Sequence, residues 1–66
     1  MKILLAEKRN ELGISVRRLE AMSGVSRTTI LRIESGYANP TVSVLCKLAT
    51  ALGMSLDDLV LCDRRE

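Results

Sequence analysis

The segment Ile14–Gly36 constrains the fold more than any other part of the chain. It contains two short runs with aliphatic residues at helical spacing, hinged on one glycine. Ser15 is placed to cap the first run, which is expected to span Val16 to Met22 with Leu19, Met22 and Ser23 on its inner stripe. Gly24 supplies the left-handed stop that only glycine adopts cheaply. Ser26 then caps the second run, expected over Arg27–Ser35, with Ile30 and Ile33 inward and Gly36 at its end. Two short helices joined so tightly fit a helix-turn-helix unit.

The rest of the chain repeats the same punctuation. Aliphatic residues recur three and four apart throughout, and no alternating strand pattern persists. A first helix is expected from Lys2 to Leu12, with Leu5, Arg9 and Leu12 on one stripe and Gly13 after it. Tyr37–Pro40 reads as a loop. Thr41 caps a fourth helix through Leu52 that packs on Leu45, Leu48, Ala49 and Leu52, and Gly53 follows. Ser55 caps a fifth helix, Leu56 to Leu61, with Asp57 and Asp58 favourably placed in its first turn. The expectation is an all-α fold of five helices with short connections, one domain over residues 1–62, and a frayed tail at 63–66.

Size and composition narrow the possibilities. A chain of 66 residues hides only ~60% of its unfolded surface and needs a stabilising aid. Two cysteines, Cys46 and Cys62, and no histidine argue against a disulfide framework and a zinc site. No phosphate loop or pair of cysteines at ligand spacing is present, so neither catalytic residues, a bound metal nor a cofactor is expected. The apolar start breaks at Glu7–Lys8–Arg9, too early for a signal peptide. No apolar run reaches the ~20 residues that span a bilayer. A cytoplasmic, membrane-free protein is expected, with association between copies as the stabilising aid. Cys46 is expected to be a half-buried small hydrophobe, and Tyr37 to pack beside its loop. The apolar surplus Leu56, Leu59, Val60 and Leu61, with an outward Val44, suggests a subunit contact, with fraying against the chain's own core as the alternative.

Charge is placed unevenly. Residues 1–47 hold eight Lys/Arg against four Glu, whereas residues 48–66 hold two against four Asp/Glu. Arg17, Arg18 and Arg27 fall in the first turns of their helices, where the backbone dipole makes each cation unfavourable by ~0.3–1 kcal/mol. A polyanion would supply the missing negative charge; local pairing, for instance Arg17 with Glu20, is the plain alternative. On the third helix, Arg27, Thr28, Leu31 and Arg32 face outward and Thr29 lies between the two faces. Arginine can grip guanine with two hydrogen bonds, and threonine can bond a base or touch a thymine methyl. An outward helix of that composition suits the major groove of double-stranded DNA. Glu34, four residues after Ile30, borders the inner side, and Arg9 lies on the packed stripe of the first helix. The two are expected to form a partly buried structural ion pair.

These residues resemble the phage-repressor-like (Cro/repressor, Xre) helix-turn-helix family. The likeness is carried by Leu19, Gly24, Val25, Ser26, Ile30, Ile33, Glu34 and Gly36, and continues through Asn39–Pro40–Thr41, Leu48–Ala49, Ala51–Leu52–Gly53 and Ser55–Leu59. It implies the compact five-helix lambda-repressor-like fold and a sequence-specific transcriptional regulator, a repressor or autoregulator. Such proteins usually bind palindromic operators as homodimers. By similarity, Arg27, Thr28, Thr29 and Arg32 are base-contacting candidates. Arg17, Arg18, Ser26, Tyr37 and Asn39 are phosphate-contacting candidates, and Arg9 with Glu34 matches a familiar internal pair.

The fifth helix and the apolar residues after it are the expected dimer contact, and no small-molecule effector is evident. Two positions depart from the family. Val16 stands where glutamine often clamps a phosphate, so that contact is lost, shifted to backbone N–H groups, or taken over by Arg17. Glu20 replaces a packed alanine and either reaches outward or pairs with an arginine. A protein-interaction module that kept the fold but gave up DNA is the competing reading.

Overall fold

Three hydroxyl side chains start three of the helices. Ser15 Oγ accepts from the Arg18 N–H at 3.1 Å, Ser26 Oγ from Thr29 at 3.2 Å, and Thr41 Oγ1 from Val44 at 3.2 Å. Each satisfies a backbone donor that the first helical turn leaves open. The computed structural model describes residues 2–37 and 39–61. In chain order it comprises strand β1 (Lys2–Ile3), helices α1 (Leu5–Glu11), α2 (Val16–Ser23), α3 (Arg27–Ser35), α4 (Val42–Ala51) and α5 (Leu56–Leu59), and strand β2 (Val60–Leu61). The fold is all-α in class, with five helices among the described residues.

The core is aliphatic. Leu5, Leu19, Ile30, Leu48 and Leu59, one from each helix, are fully buried, and Val25, Ile33, Leu45, Ala49 and Leu52 complete the cluster. Helix α2 packs on both α3 and α4, α4 on α5, and α1 on α3. The core thus holds α3 from behind, through Ile30 and Ile33, and leaves its other side uncovered.

The chain ends differ from the sequence expectation. The first helix begins at Leu5 rather than Lys2, and the fifth stops at Leu59 rather than Leu61. The freed residues pair as a two-stranded antiparallel ribbon, Lys2 opposite Leu61 and Ile3 opposite Val60, and the Leu4 N–H donates to the Leu59 carbonyl at 2.8 Å. β-branched Ile3 and Val60 favour this extended geometry. The pairing also absorbs much of the surplus assigned to a subunit contact: Leu59 is fully buried, Leu56 and Val60 are half-buried, and only Leu61 is exposed. Val44 does not face outward but packs against the core.

Other corrections concern single side chains. Leu12 and Met22, placed on inner stripes by periodicity, are exposed. Leu12 caps the C-terminal end of α1, and Met22 lies in the last turn of α2, where it borders an open cleft with Cys46 and Lys47 of α4. Cys46 is exposed rather than half-buried, because α4 turns Leu45, Leu48 and Ala49 inward and Cys46, about 100° round from Leu45, falls off that face. Tyr37 does not pack beside its loop; it is 88% exposed. Cys62 and the tail 63–66 lie outside the described residues.

Candidate functional site

The turn between α2 and α3 is closed by local hydrogen bonds that fix one helix against the other. Gly24 takes φ +77°, and its N–H donates to the Glu20 carbonyl at 2.9 Å. The Ser23 hydroxyl donates to the Leu19 carbonyl at 2.7 Å and accepts from the Val25 N–H at 3.1 Å. Val25 is buried and pins the turn to the core. From α2, Glu20 Oε2 accepts the backbone N–H of Arg27, the first residue of α3, at 3.0 Å. No part of this turn is free to rotate without breaking one of these contacts.

Helix α3 then runs with two distinct sides. Ile30 and Ile33 are buried, while Arg27, Thr28, Leu31 and Arg32 are exposed. Positions three and four apart share one helical face, so Leu31 joins Arg27 and Thr28, and Thr28 joins Arg32, in one exposed ridge. Leu31, an apolar residue, is 46% exposed in the middle of that ridge. Thr29 is half-buried; its Oγ1 accepts from the Ser26 hydroxyl at 2.9 Å. Ser26 therefore spends its hydroxyl proton on Thr29 and an acceptor site on the helix cap. Thr29 keeps its own proton for an outside acceptor.

The remaining candidates lie in the first turn of α2 and just after α3. Arg17 and Arg18 are exposed in the first turn of α2. Among the described residues the ion pairs are Lys8–Glu11 and Arg9–Glu34, so no carboxylate lies within 4.0 Å of Arg17, Arg18, Arg27 or Arg32. The local pairing of Arg17 with Glu20 does not form, because Glu20 is turned to the start of α3. At the other end, Gly36 takes φ +81°, and the Tyr37 N–H returns to the Arg32 carbonyl at 3.0 Å. This ends α3 and leaves the Tyr37 ring and Asn39 exposed beyond it. Asn39 shares a shallow cleft with Lys2, Ser35 and Gly36.

Behind the ridge, Arg9 Nε donates to Glu34 Oε2 at 2.8 Å and Arg9 Nη2 to Glu34 Oε1 at 3.2 Å. A third bond, Arg9 Nη1 to the Ile14 carbonyl at 3.0 Å, ties the same guanidinium to the segment leading into α2. Donation of its N–H groups to the Glu34 carboxylate raises the Arg9 pKa above its ordinary value; burial opposes this, and the carboxylate charge adds to it.

Sequence reasoning missed two features. Lys2, read as helical, instead stands beside Asn39 and adds a cation there, which local pattern does not signal. The acceptor role of Glu20 was missed because its partner is a backbone N–H. Among the described residues, no group of three His, Cys, Asp or Glu could hold a metal ion, and no helix is long and apolar enough to cross a membrane.

A family model described as "Helix-turn-helix" matches residues 5–59. A protein of Haemophilus influenzae, named as an uncharacterized HTH-type transcriptional regulator, is 46% identical over 52 residues, which is 79% of this chain and 53% of that protein. A similarly named protein of Methanothermobacter thermautotrophicus is 34% identical over 64 residues, 96% of this chain and 93% of that one. A third, from Sinorhizobium fredii, is 44% identical over 55 residues, covering 83% and 71%. The chain thus spans about half the length of the first of these relatives and nearly all of the second.

Proposed function

The chain belongs to the helix-turn-helix family, and from that premise we propose that it is a sequence-specific DNA-binding regulator, a repressor or autoregulator, acting in the cytoplasm as a homodimer. Its DNA-binding domain is residues 1–62. Helix α3 enters the major groove of each half of a palindromic operator, the two halves lying about one helical turn (~34 Å) apart. Arg27, Thr28, Thr29 and Arg32 meet base edges. Arg17 and Arg18 grip phosphates on one side of the groove, and Asn39 with Tyr37 grips them on the other. Ser26 serves mainly to cap α3, since its hydroxyl is already engaged. Copies associate through α5 and the apolar residues of β2, where Leu61 is exposed.

The observation that carries this reading is the ridge on α3: two arginines and a threonine beside an exposed leucine, held rigidly from behind by Ile30 and Ile33. Solvation alone accounts for the arginines but not for the leucine, which suits contact with thymine methyl groups or sugar.

The test is titration with duplex DNA, first in a selection from random-sequence fragments and then across a range of salt. A recovered consensus with two-fold symmetry, and affinity that falls steeply with salt, support the reading. Flat, weak binding with no consensus overturns it and favours a protein-interaction module. Sedimentation at two protein concentrations tests the homodimer.

A further inference from the structure

Glu20 is half-buried on α2, and its carboxylate makes the one side-chain hydrogen bond that joins α2 to α3 among the described residues, 3.0 Å to the Arg27 N–H. The N-terminus of α3 has four open N–H donors, and its dipole attracts anions. Ser26 occupies one donor, that of Thr29, and Glu20 occupies that of Arg27. A fixed negative charge therefore stands where a phosphate would otherwise be drawn. The first turn of α2, by contrast, has Arg17 and Arg18 with no carboxylate within 4.0 Å among the described residues. The same bond fixes the backbone from which the Arg27 side chain extends.

We infer that Glu20 is a positioning residue that favours sequence discrimination over raw DNA affinity: its hydrogen bond sets the start of α3, while its charge closes that helix end to phosphate. The inference rests on the reading of α3 as the DNA-contacting helix. The charge and the hydrogen bond can be separated by substitution. Glu20→Gln keeps an amide oxygen for the Arg27 N–H and removes the charge. Glu20→Ala removes both.

The experiment compares the intact chain with these two variants on two duplexes: the operator recovered by selection with the unsubstituted chain, and a scrambled duplex of the same length and composition. Thermal melts first confirm that each variant is folded. At about 50 mM salt both variants bind the scrambled duplex roughly three- to tenfold more tightly than the parent, and the gain falls below about twofold at about 300 mM as screening sets in. Glu20→Gln holds the operator-to-scrambled affinity ratio within about twofold, whereas Glu20→Ala lowers it about five- to tenfold, the scale of one ordinary hydrogen bond. A purely structural cap would shift the melts and leave that ratio unchanged.

The inference is overturned if neither variant binds the scrambled duplex more tightly than the parent, or if the ratio is unchanged in Glu20→Ala or falls equally in both variants. If selection with the parent yields no operator at all, the DNA-contacting role of α3 fails first and carries this inference with it. That outcome is distinct from a parent that discriminates while its variants behave alike.

Discussion

Arg9 and Glu34 face each other across α1 and α3 as a two-pronged pair, Nε to Oε2 at 2.8 Å and Nη2 to Oε1 at 3.2 Å, with side chains only 15% and 12% exposed. The guanidinium is satisfied a third time by the Ile14 carbonyl, so one side chain connects α1, the approach to α2, and α3. Removing either partner strands a sheltered charge. The cost of doing so is ~3–5 kcal/mol for fully buried pairs; the residual exposure here places it at about 2–3 kcal/mol. Denaturant melts of Arg9→Ala and Glu34→Ala should each show a loss of that size. Replacing both residues with apolar ones should cost less than either single change.

The same pair makes a prediction about pH. The hydrogen bonds that Arg9 donates to Glu34 raise the Arg9 pKa. A group whose folded pKa is raised contributes stability that is complete below its unfolded value and disappears only as pH climbs through the folded one. For arginine that window is far alkaline. The difference in melting free energy between the parent and Arg9→Met should therefore stay level from about pH 7 to about pH 10. A decline across that range would mean that the guanidinium does not carry the effect.

Base and backbone roles separate by substitution on the two helices. Arg32 lies on the exposed ridge of α3 and Arg17 in the first turn of α2. Arg32→Ala should relax preference at one operator position, with a loss of ~1–3 kcal/mol on the preferred base. Arg17→Ala should weaken binding evenly over all sequences and reduce the salt slope by about one. A sequence-dependent loss in Arg17→Ala would reassign that residue to the bases.

The starts of α2, α3 and α4 and the glycine turns after α2 and α3 were legible because caps and glycine turns are local chemistry. Ser15, Ser26 and Thr41 each bond a backbone N–H three residues on, a relation visible in the sequence itself. The ribbon of Lys2–Ile3 with Val60–Leu61 was not legible, since strands of two residues are too short to show alternation and their partner lies at the opposite end of the chain. Helical spacing likewise placed Leu12 and Met22 on inner faces, although both are about half exposed at the ends of their helices. The outward face of α3 was readable from Ile30 and Ile33. The acceptor role of Glu20 was not, because every residue offers the backbone N–H that it takes.

Periodicity and burial disagree for those two side chains, and stability measurements can choose between them. Leu48 is fully buried at the centre of the core, whereas Leu12 and Met22 are about half exposed. Leu48→Ala should destabilise by ~2.7–5 kcal/mol through lost burial and the cavity left behind. Leu12→Ala and Met22→Ala should stay within about 1 kcal/mol of the parent. A core-sized loss at Met22 would show that α2 packs deeper than described.

The turn itself is best probed at Gly24, which ends α2 with φ +77° and donates to the Glu20 carbonyl at 2.9 Å. A Cβ added there would meet no atom within 4 Å, so steric crowding with other residues does not enter. What remains is the left-handed backbone, which costs an L-residue with a side chain roughly 1–2 kcal/mol and asparagine less. Gly24→Ala should therefore lower stability by about 1 kcal/mol, and Gly24→Asn by less, as read from denaturant midpoints. Because Ile30 and Ile33 still anchor α3, both variants should keep the parent's operator preference, and their affinity should fall only as far as the folded fraction does. A change in preference at unchanged stability would show that the turn steers α3 directly, and that the apolar anchor alone does not hold the ridge in place.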